Sequence, residues 1–228
     1  MTETRDEWNQ GVGNLSLRHM KKNLFIALEG IDGSGKSTQI KFLADQLAKA
    51  GHAVYPTFEP TDSRIGLMIK DIFRHKMEAH HKTIAALYVA DRLHHLLNKE
   101  NGILKKLEEG VTVITDRYYF SSYAYHSLYM SMNWVIEANS LSAELLKPDL
   151  TIFIDISPDT SMKRLNKGRD VIELFETHDE LRQVREKYFE AFDLLKSKEK
   201  IAVVDGNREP AEIAADIWGI VKGLVDAG

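Results

Sequence analysis

The segment Gly30-Ile31-Asp32-Gly33-Ser34-Gly35-Lys36-Ser37 fits the pattern G-x-x-x-x-G-K-[ST], whose residue types suit the binding of a nucleoside triphosphate. Its glycines permit tight turns that bring backbone N–H groups close to phosphate oxygens. Lys36 would place a positive charge beside the β- and γ-phosphates, and the Ser37 hydroxyl would bind Mg²⁺. A short apolar run precedes the segment and a helical pattern follows it, so the positive end of a helix dipole would face the anion. The sequence therefore predicts a phosphate-binding loop between a strand and a helix.

Phosphoryl transfer also requires a carboxylate that organises the metal ion or its water ligands. Two predicted strands end in aspartate, one at Asp116 and one at Asp155. Arg117 follows Asp116 directly, so one turn would present a carboxylate to a metal and a guanidinium to a phosphate. Asp155 leads into Ser157-Pro158, which is typical of an ordinary helix start. We therefore favour Asp116, with a strand-end or helix-capping role as the alternative for either aspartate.

The arginines favour a kinase among the proteins that share such a loop. Arg92 and Arg117 lie on separate predicted segments, from which they could hold the phosphate of an acceptor bidentately. Arg164 and Arg169 belong to a basic cluster that suits a mobile cationic flap, because transfer must exclude water. A solvated helix end is the alternative for that cluster. The guanine-reading sequence N-K-x-D of GTPases is not found, and motor ATPases are usually longer.

The composition is that of a globular chain of 228 residues, with 43% hydrophobic residues, 28% charged residues and a net charge of −4. Because the chain has no basic excess, we expect no nucleic-acid partner. No apolar run approaches the ~20 residues that span a bilayer, so we expect no membrane partner. The absence of cysteine excludes disulfides, thiolate metal sites and a cysteine nucleophile, and it fits the reducing cytoplasm, where we expect the protein to act.

Short apolar runs alternate with helical patterns from Asn23 onward. Five runs are predicted to be strands: Leu24 to Leu28, Ala53 to Phe58, Val111 to Thr115, Leu150 to Ile154 and Ile201 to Val204. Pro56 places the second of them at a sheet edge. The alternation predicts an α/β fold with a five-stranded parallel sheet and helices on both faces. Residues 1–21 lack periodicity and are expected to be a mobile tail, which leaves 22–228 as a single domain.

The chain resembles the thymidylate kinases, a family of P-loop nucleoside monophosphate kinases, over roughly residues 23 to 225. The motifs that carry this resemblance follow the family's order: the loop from Glu29 to Thr38, Glu59-Pro60-Thr61-Asp62, Tyr88-Val89-Ala90-Asp91-Arg92, Asp116-Arg117-Tyr118-Tyr119-Phe120-Ser121-Ser122-Tyr123-Ala124-Tyr125, and Val184-Arg185-Glu186-Lys187-Tyr188. The loop alone indicates only nucleotide binding, whereas the Asp-Arg-Tyr segment is much more specific. The resemblance implies a P-loop kinase domain with a flap, a homodimer, and Mg²⁺- and ATP-dependent phosphorylation of dTMP to dTDP for dTTP synthesis.

The resemblance also assigns roles to individual residues. Asp32 would bind the sugar 3′-hydroxyl of dTMP, and Tyr88 would stack on thymine, although its spacing alone is that of a helix-core residue. Arg92 and Arg117 would hold the acceptor phosphate, and Tyr125 would crowd the 2′ carbon. The full acceptor set is Asp32, Glu59, Tyr88, Arg92, Arg117, Ser122, Tyr125 and His126. The ATP set is Gly30, Ile31, Asp32, Gly33, Ser34, Gly35, Lys36, Ser37, Thr38 and Arg164. Ser37 and, through water, Asp116 would hold the Mg²⁺.

Three positions depart from the family pattern. His126 follows the Ala-Tyr pair, where glutamine is frequent; one imidazole nitrogen cannot both donate and accept, which leaves base selectivity open. Leu174 replaces a flap arginine, and Gly33 stands where some members carry an arginine. The catalytic cation of the flap is therefore predicted to be Arg169, with Lys167 in support.

Two other functions stay open. One is a different P-loop kinase, for a deoxynucleoside or a deoxynucleoside monophosphate with another base preference. The other is a nucleotide-dependent switch without metabolic turnover, which would leave Tyr88, Arg92 and Tyr125 without a role. Histidines cluster between His75 and His95, but they have no carboxylate at ligand spacing, so we expect surface residues rather than a metal site.

Overall fold

Five short strands, most of them rich in β-branched and aromatic residues, form the centre of the fold. The computed structural model describes residues 23–166 and 177–226. Its strands are β1 (Phe25–Glu29), β2 (Val54–Phe58), β3 (Thr112–Asp116), β4 (Leu150–Asp155) and β5 (Ile201–Asp205). They pair in parallel in the order β2-β3-β1-β4-β5, which confirms the predicted sheet. β2 lies at an edge, as Pro56 predicted.

Helices connect the strands on both sides of the sheet. They are α1 (Lys36–Lys49), α2 (Arg64–Phe73), α3 (His81–Leu97), α4 (Ile103–Glu108), α5 (Tyr119–His126), α6 (Met132–Ala138), α7 (Ser140–Leu145), α8 (Pro158–Leu165), α9 (His178–Leu195) and α10 (Pro210–Asp226). The sequence did not predict α6 and α7, because helices of seven and six residues are too short to show a clear period.

The sheet separates two apolar cores. Every residue of β1 is buried, and alternate residues point to opposite faces: Phe25 to one core, Ile26 to the other. α1 and α10 pack on the Ile26 face, whereas α5 and α9 pack on the Phe25 face. This double cover explains why the central strands are continuous apolar runs.

The carboxyl ends of β1, β3 and β4 meet at one edge of the sheet. Leu28 lies in register with Asp116, and Glu29 lies in register with Phe153. The loop after β1 therefore lies between the ends of its two neighbours, which is where ligands bind in open α/β sheets.

Several predictions fall outside the described residues. They concern the tail of residues 1–21, the flap cations Arg169 and Lys167, and Leu174. The predicted domain bounds and flap therefore stay predictions; α8 contains only the first part of the basic cluster. Among the residues described, no helix is both long and apolar enough to cross a lipid bilayer.

Candidate active site

The loop between β1 and α1 has the geometry that phosphate binding requires. Gly30 has a φ of 152°, and a Cβ there would lie 2.8 Å from the carbonyl oxygen of Ile154, so only glycine fits. α1 begins at Lys36, directly after Gly35. The Lys36 ammonium donates to the carbonyl oxygens of Gly30 at 3.0 Å and Ile31 at 3.3 Å. The ammonium and the start of the helix thus bring positive charge to the same loop.

Ser37 and Asp116 meet across the edge of the sheet. The Ser37 hydroxyl donates to Asp116 Oδ2 at 3.0 Å. Hydroxyl and carboxylate oxygens suit Mg²⁺. Among the described residues no cluster of three or more acidic or histidine side chains could hold a metal. An ion beside Ser37 and Asp116 would therefore take its remaining ligands from phosphate oxygens and water, which is the usual arrangement for Mg²⁺.

Asp155, the other candidate carboxylate, has a different partner. Arg185 donates to both its oxygens, from Nε at 2.6 Å and from Nη2 at 2.7 Å. This bidentate pair joins the end of β4 to α9. The geometry therefore supports Asp116 as the metal-directed carboxylate.

Arg117 connects the phosphate-binding loop to the segment after β3. Its Nη2 donates to Asp32 Oδ1 at 2.5 Å, and its Nη1 donates to the Gly30 carbonyl oxygen at 3.4 Å. The Tyr125 hydroxyl donates to Asp32 Oδ2 at 2.8 Å. Burial raises the pKa of Asp32, but the charges of Arg117 and Lys36 outweigh burial, and the pKa lies below its ordinary value. Asp32 therefore stays ionised beside Arg117.

Two cavities open at this edge, with volumes of about 250 and 700 Å³. Four residues border both cavities: Asp32, Pro60, Lys70 and Arg117. The smaller cavity is also bordered by Phe73, Arg74, Tyr88, Ser121, Ser122, Tyr125 and His126. The larger one is also bordered by Gly33, Gly35, Lys36, Ser37, Thr38, Phe58, Glu59, Asp116, Arg164 and Leu165. A ligand in each cavity would meet the other at the four shared residues.

The smaller cavity has an aromatic wall. The Tyr88 ring centroid lies 5.1 Å from that of His126 and 6.3 Å from that of Phe73. Burial, with a smaller contribution from the Arg92 charge, lowers the pKa of His126 to about 3. The imidazole is therefore neutral near pH 7 and offers one donor and one acceptor. Together with the Tyr88 ring, this wall suits a flat heterocycle with polar edges.

Arg92 lies on α3, the predicted long helix, but it borders neither cavity. The side chain is 0% exposed. Its Nε and Nη2 contact Glu59 Oε2 at 2.9 and 2.8 Å, and its Nη1 donates to Ser122 at 3.0 Å and also to Asn139. A buried guanidinium requires a carboxylate and further acceptors, and all three nitrogens are engaged here. The geometry therefore gives no support to the predicted grip of Arg92 on a phosphate.

Glu59 and His95 complete this buried network. Glu59 borders the larger cavity, but its carboxylate contacts Arg92 and lies 3.2 Å from His95 Nδ1. His95 Nε2 lies 2.7 Å from the Thr57 hydroxyl. The expectation that His95 lies at the surface was wrong, because it is only 7% exposed. Glu59 accordingly supports the wall of the cavity, and its predicted contact with substrate stays untested.

Arg164, in the last turn of α8, contacts the phosphate-binding loop. Its Nη1 lies 3.3 and 3.4 Å from the carbonyl oxygens of Gly33 and Ser34, and its Nη2 donates to that of Gly206 at 2.9 Å. The residue thus borders the larger cavity and links the loop to the turn after β5, and its contact with ATP stays a prediction.

Lys70 also borders the site, and the sequence did not point to it. Its ammonium lies 2.6 Å from Asp62 Oδ1 and 4.8 Å from the Phe58 ring centroid, and the side chain borders both cavities. The sequence carried no clear signal for it, because a lysine that flanks the apolar face of a helix, as Lys70 flanks Ile69 and Ile72, is common.

Comparison with known proteins identifies the family. A family model described as thymidylate kinase matches residues 28–217. A probable thymidylate kinase of Caldivirga maquilingensis is 39% identical over 204 residues, which cover 87% of this chain and 93% of that protein. A probable thymidylate kinase of Methanocaldococcus jannaschii is 36% identical over 208 residues, with coverage of 90% and 99%. The thymidylate kinase of Shouchella clausii is 36% identical over 207 residues, with coverage of 86% and 93%. With its phosphate-binding loop, its parallel sheet and this agreement over most of its length, the chain belongs to the thymidylate kinase family.

Proposed function

We propose that the protein transfers the γ-phosphoryl group of ATP to the phosphate of dTMP, which yields dTDP and ADP. It is an ATP-dependent nucleoside monophosphate kinase, the activity of its family. The observation that carries the proposal is the meeting of the two cavities at Asp32, Lys70 and Arg117. A donor on the loop and an acceptor in the aromatic cavity would bring their phosphates end to end at these residues.

The donor side gathers positive charge around the phosphate-binding loop. Backbone N–H groups at the start of α1 and the Lys36 ammonium would face the β- and γ-phosphates, where fixed positive charge stabilises the developing negative charge. When bound, Mg²⁺ would be held by Ser37 and, through water, by Asp116, and would add positive charge beside the same oxygens. Arg164 donates to the carbonyl oxygens of Gly33 and Ser34 and so helps the loop to keep its shape.

The acceptor side requires orientation more than proton transfer. The phosphate of dTMP is already anionic near pH 7, so its oxygen needs no strong base and depends on alignment with the γ-phosphorus. Arg117 and, from α2, Lys70 border both cavities, so a guanidinium and an ammonium would bring positive charge to the acceptor phosphate. Asp32, bound by Arg117 and Tyr125, would face the sugar hydroxyl.

The aromatic wall of the smaller cavity selects the base. Tyr88 would stack on thymine, and Ser122 and neutral His126 would contact its polar edge. The alternative of a kinase for another deoxynucleoside or monophosphate would share the donor side. The family match favours dTMP, and no observation favours the alternative.

We also propose Arg169 as the flap cation that reaches the transferred group. This assignment rests on the sequence, because Arg169 lies outside the described residues. Arg169→Ala should lower kcat by ~10³-fold in a folded protein. A near-normal kcat would refute the assignment.

A homodimer is the proposed assembly, and an apolar stripe on α3 supports it. Ala86 and Ala90 are exposed, Leu93 is half-buried, and Leu97 is 53% exposed. Their spacing of four, three and four residues places them on one helix face. Leu97→Glu should shift the mass measured by light scattering from two chains toward one. Leu194→Glu, at an equally exposed leucine of α9, is the matched control. A wild-type protein with the mass of one chain would refute the dimer.

The cytoplasmic location stays a prediction.

The experiment that tests the function is an acceptor panel. ADP release from Mg²⁺-ATP should be measured with dTMP, dUMP, dCMP, AMP and thymidine. We expect the highest kcat/KM for dTMP and almost no turnover by folded Lys36→Ala protein. A higher kcat/KM for thymidine or dCMP would establish the alternative kinase, and no turnover of any acceptor would refute the proposal.

A further inference from the structure

Glu29 is a buried carboxylate that borders neither cavity. It is the last residue of β1, directly before Gly30, and it is 0% exposed. Burying a carboxylate is unfavourable unless hydrogen bonds replace its water. Burial raises the pKa of Glu29, and the hydrogen bonds that it accepts oppose this rise. The position therefore depends on a specific set of donors.

Four hydrogen bonds surround the Glu29 carboxylate. Oε1 accepts from the backbone N–H groups of Tyr118 at 2.9 Å and Ser121 at 3.2 Å. Oε2 accepts from the hydroxyls of Ser121 at 2.5 Å and Tyr188 at 2.9 Å. The two N–H groups belong to the start of α5, where no capping side chain accepts a hydrogen bond. Glu29 therefore supplies, from β1, the acceptor that the first turn of α5 lacks.

The Ser121 hydroxyl also connects Glu29 to Arg117. Arg117 Nη1 donates to Ser121 Oγ at 3.1 Å, and the same hydroxyl donates to Glu29. Arg117 has a φ of 72°, a left-handed conformation that is uncommon for a residue with a long side chain. Its backbone is therefore held in a conformation that neighbouring contacts must maintain, and α5 begins two residues later, at Tyr119.

We propose that Glu29 is a positioning residue that holds Arg117 in place through Ser121 and fixes the start of α5. α5 carries Ser122, Tyr125 and His126, so the effect concerns the acceptor site. None of the four hydrogen bonds runs to the phosphate-binding loop, although Arg117 itself contacts Gly30 and Asp32 there, so dTMP binding should weaken more than ATP binding. The inference rests on the proposed function, because it concerns the binding of dTMP.

Glu29→Gln is the primary test, since the amide keeps the shape but places an N–H₂ group where one oxygen accepts. In steady-state kinetics we expect the KM for dTMP to rise about tenfold or more, with a clearly smaller rise in the KM for ATP. Glu199→Gln is the matched control, because Glu199 accepts a hydrogen bond from Tyr119 of the same helix at 2.9 Å and borders neither cavity. It should leave both KM values unchanged. Equal changes in both KM values for Glu29→Gln, or none, would overturn the proposal.

A double-mutant cycle with Ser121→Ala tests the path and stays informative even where Glu29→Gln folds poorly. Ser121→Ala alone should raise the KM for dTMP, because it removes the hydroxyl between Arg117 and Glu29. Glu29→Gln should have a smaller effect in the Ser121→Ala background than in the wild type. Additive effects, or an unchanged KM for Ser121→Ala, would overturn the proposed path while the kinase activity of the wild type stands. A wild-type protein without dTMP turnover would instead refute the proposed function.

Discussion

Arg117 and Asp32 form an ion pair, with 2.5 Å between Nη2 and Oδ1, that joins the segment after β3 to the phosphate-binding loop. Both residues border both cavities, so the pair lies where donor and acceptor phosphates would meet. Each side chain fixes the other: Arg117 helps to keep Asp32 ionised, and Asp32 limits the orientations of the guanidinium. The pair thus lies at the boundary between the two proposed nucleotide sites.

Loss of the Asp32 charge should weaken the acceptor site. Asp32→Asn keeps the shape of the side chain but removes a charge-assisted contact, so we expect the KM for dTMP to rise about tenfold. Isothermal titration with dTMP measures the effect on binding directly. Asp193→Asn removes the exposed pair of Asp193 with Lys196 and should change nothing. Unaltered dTMP binding by Asp32→Asn would contradict the proposed role.

The Mg²⁺ requirement should depend on Ser37 and Asp116. Ser37→Ala and Asp116→Asn each remove an oxygen ligand or its support, so the Mg²⁺ concentration that gives half-maximal activity should rise ~10-fold or more. Asp155→Asn is the control, because Asp155 also ends a strand but pairs with Arg185. It should reduce stability without changing the Mg²⁺ requirement. If Asp155→Asn raised the Mg²⁺ requirement and Asp116→Asn did not, the metal would belong to Asp155.

The aromatic ring of Tyr88, rather than its hydroxyl, should bind the base. Tyr88→Ala should raise the Kd for dTMP about tenfold, as expected from the loss of ~1–3 kcal/mol of stacking, and should leave the Kd for ATP nearly unchanged. Tyr88→Phe should retain wild-type binding. Fluorescence or calorimetric titration with each nucleotide gives both constants. Equal weakening of both nucleotides by Tyr88→Ala would indicate a core residue instead.

His126 should make the protein less stable in acid. Its pKa is about 3 in the folded protein and 6.5 in the unfolded chain, so between these values the unfolded chain binds one more proton. The free energy of unfolding should therefore fall as the pH drops below 6.5, by ~2 kcal/mol from this group by about pH 5. In urea unfolding, His126→Gln should lack this contribution, so the variant should lose less stability than the wild type. Parallel losses would show that His126 is not the group responsible.

Local sequence patterns predicted the phosphate-binding loop. The orientations of several other side chains could not be predicted, because they depend on contacts between residues far apart in the sequence. The loop from Gly30 to Ser37 is set by spacing, because its glycines and the adjoining helix act within a few residues. The partners of Arg92 were not predicted, because its orientation depends on Glu59 and Asn139, which lie 33 and 47 residues away. No periodicity encodes such a pairing, since an arginine on a helix is compatible with a cleft or with a buried ion pair.

The same reason explains His95, Lys70 and Glu29. His95 of α3 is buried by its contacts with Thr57 of β2 and with Glu59, which follows β2. Lys70 faces the cavities because α2 packs beside α3, a tertiary arrangement. Glu29 stands out in the sequence as a charged residue that ends an apolar strand. Its hydrogen-bond donors, however, belong to Tyr118, Ser121 and Tyr188, which lie about 90 to 160 residues further along the chain.

The most direct test of the end-to-end arrangement is binding of a bisubstrate compound in which adenosine and thymidine are joined 5′ to 5′ through a polyphosphate chain. Calorimetric competition should show one compound bound per chain, more tightly than dTMP or ATP, and displaced by either nucleotide. Arg117→Ala should remove most of the gain over ATP. A compound that competes with only one nucleotide, or that binds no better than ATP, would show that the two cavities do not place donor and acceptor phosphates end to end.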